Sequence, residues 1–297
     1  MKTNAVIIIL LIINSCTPQK TLEQQVMEIY KDIPQYKERP YYTMQIGGGN
    51  CNFEIRVNDM SVWQHLRERG GISTNVPLNA YILESGIQEI SIKIFPRKGE
   101  TQLTKYANLS IEIRLYDDVD DPVLEYESIL KYDLKMPEEG MPVTAYKNTF
   151  IAKVPYKIKA WRDSQDLTKV KDIEKKVLNF YQNYWQMWKN SDYNSIIELE
   201  RRKEEVVAET MYLSKERILE RAKNIKDIIL EKEAILQPID KYIMVYYAKN
   251  KVITLVLPNG DSLIHSIIKG SNDEGDEILS TTIQLHMPEG SDKLEVI

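Results

Sequence analysis

The hydrophobic residues of this chain change their spacing twice, and these changes limit the folds that the chain can adopt. Between Tyr41 and Trp161, apolar residues alternate with polar ones. A period of two is typical of β-strands that are buried on one face. Over residues 166–236 the apolar residues recur at three- and four-residue steps, which indicates amphipathic helices. The alternation returns over 241–297, so we expect a β unit followed by an α+β unit.

The first unit, residues 41–161, contains about seven predicted strands separated by turn signals. Regular short strands of this kind are typical of an antiparallel β-sandwich. The stretch from Pro77 to Pro96 is a strand, a Ser-Gly turn and an alternating strand that ends in proline. It resembles the immunoglobulin-like and jelly-roll modules of extracellular proteins, and this resemblance implies a fold and no activity. We therefore predict a mixed β and α+β protein whose amino-terminal part is an immunoglobulin-like or jelly-roll-like antiparallel sandwich.

The second unit, residues 162–297, is predicted to pack helices on a small antiparallel sheet. An apolar stripe from Leu167 to Trp188 indicates one long helix, and Asn190-Ser191-Asp192 interrupts it. A second helical stretch runs from Tyr193 to about Tyr212, and Ser214 is a suitable N-cap for a third. Helices are thus expected over 166–236 and a β-meander of four or five strands over 241–297.

The first sixteen residues have the features of an export signal. Lys2 gives a positive start, and Ala5 to Ile13 form an apolar run. This run is too short to span a bilayer, which needs about 20 apolar residues. A charged start before a short apolar stretch is typical of a secretory signal peptide, here residues 1–15.

The end of this signal, Ile13-Asn14-Ser15-Cys16, resembles the lipobox of bacterial lipoproteins. The resemblance implies that Cys16 is acylated, with palmitate among its acyl chains, and that cleavage occurs just before it. Two or three acyl chains hold a protein stably at a membrane. Thr17 stands where an aspartate would resemble an inner-membrane retention signal, so the resemblance favours the outer membrane of a Gram-negative cell envelope. The alternatives are a soluble secreted protein and an apolar amino-terminal strand that is never cleaved.

Residues 16–40 are predicted as a tether that contains one short amphipathic helix between Thr21 and Ile33. The only other cysteine is Cys51, so acylation of Cys16 leaves no pair for an intramolecular disulfide. We predict that Cys51 is a small buried residue of a strand.

The charge of the chain argues against nucleic-acid binding. Its formal net charge is −5, with 39 basic and 44 acidic side chains, and removal of the signal peptide with Lys2 leaves −6. A nucleic-acid-binding protein would show a basic patch. The expected partners are the membrane, through the lipid anchor, and a glycan or protein ligand.

The acidic run Asp117-Asp118-Val119-Asp120-Asp121 is a weak candidate for a calcium site. Calcium takes six to eight oxygen ligands from closely spaced carboxylates and carbonyls. The run lacks the ligand spacing and the glycine of an EF-hand, and Pro122 follows it. A solvated turn is the preferred interpretation, and we predict no metal site.

Two tryptophans are weak candidates for ligand binding. Trp63 and Trp161 lie near predicted strand ends, where an exposed indole could stack on a sugar ring. Burial of both indoles is the preferred interpretation.

Other motifs do not indicate chemistry. His65, His265 and His286 lie far apart in the chain with no local pairing of the kind zinc sites show. The run Gly47-Gly48-Gly49 is predicted as a flexible turn or bulge, since no helix follows it to hold a phosphate. The chain has no nucleophile elbow, P-loop or dinucleotide fingerprint. We therefore predict no catalytic residue and no cofactor.

Three classes of function remain, of which the last is a structural envelope component that dimerises through its helices. The first is a membrane-anchored binding protein of the cell envelope without enzymatic activity, which includes an immunity-type protein that neutralises a toxin. Exposed indoles would favour a glycan, and an acidic concave surface built from residues 117–121 and 273–277 would favour a basic protein. The second is an envelope hydrolase with a site between the two units. It requires a pocket there with paired carboxylates, or with a histidine, a carboxylate and a hydroxyl.

Overall fold

The computed structural model describes residues 20–120, 125–136, 140–230, 234–236, 238–258, 260, 262–268 and 277–297. The predicted signal peptide, Cys16, Asp121 and residues 273–276 lie outside this described part. Within it, no helix is both long enough and apolar enough to cross a membrane.

The part of the chain up to residue 152 contains two antiparallel sheets of four strands each. The strands described there are β1 (Tyr41–Gly49), β2 (Asn52–Val57), β3 (Met60–His65), β4 (Gly71–Pro77), β5 (Gly86–Phe95), β6 (Asn108–Tyr116), β7 (Glu127–Asp133) and β8 (Thr144–Ala152). One sheet has the order β4-β1-β6-β7, and the other has the order β3-β2-β5-β8.

The alternating pattern puts one face of each sheet into a common core. On β5, Ile90, Ile92 and Ile94 are no more than 1% exposed, whereas Glu89 and Lys93, on the opposite face of the strand, are exposed. Buried side chains of both sheets belong to one hydrophobic cluster. Each isoleucine buried in this way contributes roughly 1.5–3 kcal/mol. The prediction of an antiparallel β structure in this part is therefore confirmed at the level of two sheets.

The three consecutive glycines are not the predicted turn but the end of β1. Gly48 pairs with Ile72 of β4 on one side and with Leu109 of β6 on the other. A Cβ atom on Gly71 would lie only 2.8 Å from the carbonyl oxygen of Gly48. The absence of side chains thus allows close approach of the two strands, and the strand continues through the glycines.

The helices form a second group of elements. They are α1 (Leu22–Tyr30), α2 (Ile173–Lys189), α3 (Tyr193–Leu199), α4 (Arg201–Thr210) and α5 (Lys215–Leu230). The predicted stripe begins earlier, at Leu167, but Leu167 lies in a short 3₁₀ turn. Asp172, with φ of 56°, separates this turn from α2. The predicted N-cap at Ser214 is observed, since its hydroxyl accepts an N–H of the first turn of α5 at 3.4 Å.

Helix α1 is part of the folded body, although its segment is predicted as a tether. The Thr21 hydroxyl accepts the Gln24 N–H at 3.2 Å, and the Gln24 side chain accepts the Thr21 N–H at 2.9 Å. This capping box fixes the start of the helix. Leu22, Val26 and Ile29 are buried in one cluster with side chains of α3, α4 and α5. From Thr21 onward the chain therefore packs against the helices instead of standing apart from them.

Among the described residues, the carboxyl-terminal strands form two sheets and not the single predicted meander. They are β9 (Ala234–Leu236), β10 (Ile243–Tyr247), β11 (Val252–Val256), β12 (Ile264–Ile268), β13 (Glu277–Thr281), β14 (Leu285–His286) and β15 (Glu295–Val296). The orders are β10-β11-β14-β15 and β13-β12-β9. Strand β9 lies in the region predicted as helical, because an apolar run this short has no period that separates strand from helix.

The strands β10 and β11 are held against both groups of elements. The Tyr181 hydroxyl of α2 donates to the carbonyl of Ile283 at 2.7 Å and accepts the N–H of Leu255 at 2.9 Å. At their other end, Tyr247 and Val252 belong to the same buried cluster as the first two sheets. This packing brings the β10–β11 turn onto the β3-β2-β5-β8 sheet.

Candidate functional site

A groove lies where the β10–β11 turn meets this sheet, and we call it the junction groove. It consists of two hollows with volumes of about 430 Å³ and 510 Å³, and Glu89 and Lys249 line both. The first hollow also contacts the 3₁₀ turn Ala160–Asp163, and the second contacts β8. A volume of this size is typical of ligand sites, which occur preferentially between structural units.

One wall of the junction groove is the tight turn Asn58-Asp59 between β2 and β3. Both residues have positive φ, 52° and 61°, a conformation that asparagine and aspartate tolerate better than most residues. Asn58 joins this turn to β5, since its backbone N–H donates to the Glu89 carbonyl at 2.8 Å. Its Oδ1 accepts the Glu89 N–H at 3.0 Å, and its Nδ2 donates to Gln88 Oε1 at 2.8 Å.

The opposite wall is the β10–β11 turn, where Ala248, Lys249 and Asn250 have φ of 51°, 56° and 69°. Three successive residues other than glycine in this region are strained. Asp59 holds the turn, because its carbonyl accepts the Ala248 N–H at 3.0 Å and its carboxylate accepts the Lys249 N–H at 2.8 Å. The Arg56 guanidinium contacts Asp59 and also Tyr247, the residue just before the β10–β11 turn. It lies 4.7 Å from the centre of the Tyr247 ring and 3.0 Å from the Asp59 carboxylate.

The carboxylates of the junction groove are paired with cations. Glu84 contacts Arg162 and lies 3.1 Å from Lys157, and these hydrogen bonds hold the pKa of Glu84 below its usual range. Glu89 lies 3.7 Å from the ammonium group of Lys249. Because its pKa is lowered, Glu84 stays ionised and is a poor general acid.

The cations of the junction groove outnumber its anions. Lys251 donates to the carbonyl of Arg162 at 2.6 Å and makes no ion pair with a described carboxylate. Lys147 is exposed at the second hollow and likewise has no described carboxylate within ion-pair distance. Two ammonium groups thus remain for an anionic ligand.

The two tryptophans are placed differently from each other. Trp161 is only 7% exposed and forms part of the wall of the first hollow. Trp63 is half-buried and packs against the core of the two sheets. Neither presents the exposed indole face that would favour stacking on a sugar.

The acidic run after β6 is held by an arginine. The Arg39 guanidinium donates to both carboxylate oxygens of Asp118, at 2.7 and 3.1 Å, and to Asp120 at 2.6 Å. This bidentate pairing occupies the oxygens that a calcium ion would need. Asp117 is described without a contact of this kind, and no described group of three or more His, Cys, Asp and Glu side chains is arranged for a metal ion.

The histidines lie in separate places. His65 is buried, and its ring stacks on Phe53 with 5.3 Å between centres. His265 lies in β12, opposite Ser280 of β13. His286 of β14 is 3% exposed, and its Nδ1 is 2.7 Å from the Ser164 hydroxyl.

His286, Ser164 and Glu295 resemble a catalytic triad in composition but not in geometry. The His286 Nε2 atom is 3.8 Å from the Glu295 carboxylate, which is too long for a hydrogen bond. Ser164 is 5% exposed and lines neither hollow of the junction groove. Burial, aided by Arg202, lowers the pKa of His286 to about 4, which makes it a weak base. The bond between Ser164 and His286 instead joins the segment before α2 to the carboxyl-terminal sheet.

Cys51 has the predicted burial. Its thiol is fully buried and free, and burial raises its pKa to about 11. Because the reactive species is the thiolate, this position is unsuited to nucleophilic chemistry.

Of the residues that line the junction groove, the sequence indicates only Trp161 as a candidate for ligand binding. Two local signals do exist, since Asn58-Asp59 and Asn250-Lys251 are turn-type residue pairs between alternating runs. Their contact spans 190 residues of chain, and no local pattern predicts such a contact.

Comparison of the chain with protein-family models, with curated proteins and with solved structures finds no match.

Proposed function

We propose that this chain is a lipid-anchored protein of the bacterial cell envelope that binds a ligand in the junction groove without transforming it. The observation that carries the binding role is the ion pairing of both carboxylates of the first hollow, Glu84 and Glu89. A glycosidase-type mechanism needs one protonated and one free carboxylate. The hydrogen bonds that fix the two turns, the ion pairs of the carboxylates and a hollow of about 430 Å³ are features of a preformed binding site.

The architecture proposed for the first part is an immunoglobulin-like or jelly-roll-like sandwich, with a domain division near residues 161 and 162. The shared buried cluster of the two four-stranded sheets supports the sandwich. Such modules present ligand sites at their ends and edges, where loops and edge strands are accessible.

The proposed cellular location rests on the lipobox-like sequence Ile13-Asn14-Ser15-Cys16. We propose that acylated Cys16 holds the protein at the outer membrane of a Gram-negative bacterium. Metabolic labelling with a fatty-acid analogue should mark the wild-type protein and not the Cys16→Ala variant. Unlabelled wild-type protein would refute the anchor and leave the groove proposal standing.

The binding role is tested by a pair of matched variants. Ile87 is 72% exposed in the first hollow, and Ile243 is 48% exposed on β10. The full chain in detergent is applied to an immobilised glycan panel and to a random peptide library. We expect Ile87→Asp to lose the ligands that wild type retains and Ile243→Asp to keep them. Equal retention by both variants, or no retained ligand in either panel, would overturn the role of the groove.

A hydrolase is the second candidate, and the buried bond of 2.7 Å between Ser164 and His286 is the observation that favours it. If this pair were catalytic, chromogenic ester or peptide substrates would be turned over and Ser164→Ala would stop the turnover. We expect no turnover that depends on Ser164. A loss of activity on Ser164→Ala, with the fold intact by circular dichroism, would favour the hydrolase.

A further inference from the structure

Strand β8 has a free edge beside the junction groove. In the order β3-β2-β5-β8 it has β5 as its only neighbour among the described strands. Glu89 of β5 uses both of its backbone groups on Asn58, on the side away from β8. The opposing pair Glu89 and Thr149 is therefore one that exchanges no hydrogen bonds. The backbone groups of Thr149 consequently point away from the sheet.

In the structure, a side chain accepts the hydrogen bond of the outward N–H of Thr149. The N–H of Thr149 donates to Oδ1 of Asn148, its neighbour in the chain, at 2.8 Å. Because backbone groups alternate in direction along a strand, those of Lys147 and Ile151 point outward as well. The edge thus offers a row of donors and acceptors that a further strand could use.

An exposed apolar pair lies on the outer face of the same two strands. Ile87 of β5 and Ile151 of β8 are direct cross-strand partners and are 72% and 66% exposed. Facing pairs of β-branched side chains are a surface on which an added strand can pack. An exposed indole would suit a sugar, but Trp161, the tryptophan of the groove wall, is only 7% exposed, so the surface favours a peptide.

The charge of the groove selects among peptides. The ammonium groups of Lys147 and Lys251 lie at its two hollows without a described carboxylate partner, whereas Asp59, Glu84 and Glu89 are each paired with cations. The groove is therefore electropositive in a chain with a formal charge of −5. Such a surface attracts acidic segments and disfavours basic ones.

We propose that an extended peptide segment with alternating acidic and apolar side chains binds as an added strand along the free edge of β8, with its acidic side chains near Lys147 and Lys251. The proposal rests on the proposed binding function and names its ligand class. Main-chain hydrogen bonds to the outward groups of Lys147, Thr149 and Ile151 supply affinity, and the flanking side chains supply specificity. The Asn148 side chain is displaced from the Thr149 amide when the partner strand binds.

The first test removes one outward donor. Short random peptides displayed on phage are selected on the immobilised full chain in detergent, and the enriched peptides are synthesised with a fluorescent label. We expect sequences that alternate acidic and apolar residues. Thr149→Pro removes the outward N–H without touching a bond to β5, and should weaken binding by about tenfold or more. Thr149→Ala keeps the N–H and should bind as wild type does.

The second test reverses the charge of the groove and leaves the backbone of β8 unchanged. The double variant Lys147→Glu with Lys251→Glu should weaken binding of the acidic peptides by about tenfold or more. Lys135→Glu is the matched control, because Lys135 is exposed and follows β7 of the other sheet. Circular dichroism spectra should be the same for all variants.

The outcomes separate the two proposals. Enriched peptides that are basic or neutral, no enrichment over the uncoated support, or full binding by Thr149→Pro would overturn the edge-strand proposal. If Ile87→Asp still abolished binding in that last case, the binding role of the groove would stand. If labelled acidic oligosaccharides bound in the groove and the peptides did not, the ligand class would be wrong and the proposed function would survive.

Discussion

Asp59 accepts the backbone N–H of Lys249 at 2.8 Å, and this bond joins two turns that lie 190 residues apart in the chain. The same carboxylate accepts a hydrogen bond from Arg56 at 3.0 Å. One side chain therefore fixes the position of both walls of the junction groove. Its removal should affect stability and ligand binding together.

We expect Asp59→Ala to lower the free energy of unfolding by about 1–3 kcal/mol, because the Lys249 amide and Arg56 both lose an acceptor. Asp59→Asn keeps an acceptor oxygen and tolerates positive φ, so it should lower the free energy of unfolding less than Asp59→Ala does. Urea unfolding of both variants measures the difference. Equal losses would show that the acceptor at this position does not hold the turn.

The strain of the β10–β11 turn predicts a stabilising substitution. Lys249 has φ of 56° and a side chain that is 76% exposed. Lys249→Gly should raise the free energy of unfolding by about 0.5–1 kcal/mol, since glycine adopts this conformation without steric cost. Lys249→Val should lower it by about 1 kcal/mol or more, because β-branched residues fit positive φ poorly. The opposite order of the two variants in thermal unfolding would contradict the strained geometry.

The packing of α1 predicts a core effect in the amino-terminal segment. Val26 is 1% exposed, whereas its neighbour Met27 is 41% exposed. Val26→Ala should cost about 1–3 kcal/mol, the range for loss of buried methyl groups. Met27→Ala is the control on the same helix and should cost less than about 0.5 kcal/mol. If both substitutions were neutral in urea unfolding, α1 would not belong to the folded body.

Buried His286 predicts a loss of stability in mild acid. Burial lowers its pKa from 6.5 to about 4, so the unfolded chain binds the proton more readily than the folded chain. The contribution of the neutral imidazole is complete above pH 6.5 and is lost as the pH falls toward 4. At pH 4.5 the loss should be about 2–3 kcal/mol by proton linkage.

The matched variant for this titration is His286→Gln, which should lose less stability between pH 7 and pH 4.5 than wild type does. His65 also has a lowered pKa through burial and nearby Arg67, but it is present in both proteins and its effect cancels. Urea unfolding at the two pH values gives the comparison. An identical pH dependence in the two proteins would show that His286 is not buried in the neutral form.

The pairing of Arg39 predicts no response to calcium. Asp118 and Asp120 are engaged by Arg39, so millimolar calcium should leave the thermal midpoint of the wild-type protein unchanged. Arg39→Ala should lower the free energy of unfolding by about 1 kcal/mol, since the pair is partly exposed. A rise of the wild-type midpoint with calcium would restore the acidic run as a metal site.

The sequence predicts the elements whose buried residues recur with a clear period. Alternation identifies β5 and β6. The stripe from Leu167 to Trp188 identifies α2, although the start of the stripe lies in the 3₁₀ turn that precedes this helix. Strand β4 lies at the edge of its sheet, where exposed residues alternate with half-buried ones and none is buried. Ile72 and Val76 pack against the core, but two apolar residues are too few to define a clear period. Residues 81–83, predicted as a strand, instead lie at and after a 3₁₀ turn at Asn79–Tyr81.

The junction groove depends on contacts that the sequence cannot display. Both of its turns are predictable, because Asn-Asp and Ala-Lys-Asn-Lys interrupt alternating strands. Their contact depends on the packing of Tyr247 and Val252 into the core of the first two sheets. That packing is a property of the whole fold, so Asp59 and Lys249 have no local signal as partners.

The capping box at Thr21 also fixes a distance. With Cys16 anchored as proposed, only residues 17–20 separate the acylated cysteine from a helix that is packed into the body. The five residue steps from Cys16 to Thr21 extend at most about 18 Å, which is less than the thickness of about 30 Å of a bilayer's hydrocarbon core. The protein would then diffuse close to the lipid surface, and a partner would have to reach it there, because the segment between Cys16 and Thr21 is too short to carry the folded part far from the membrane.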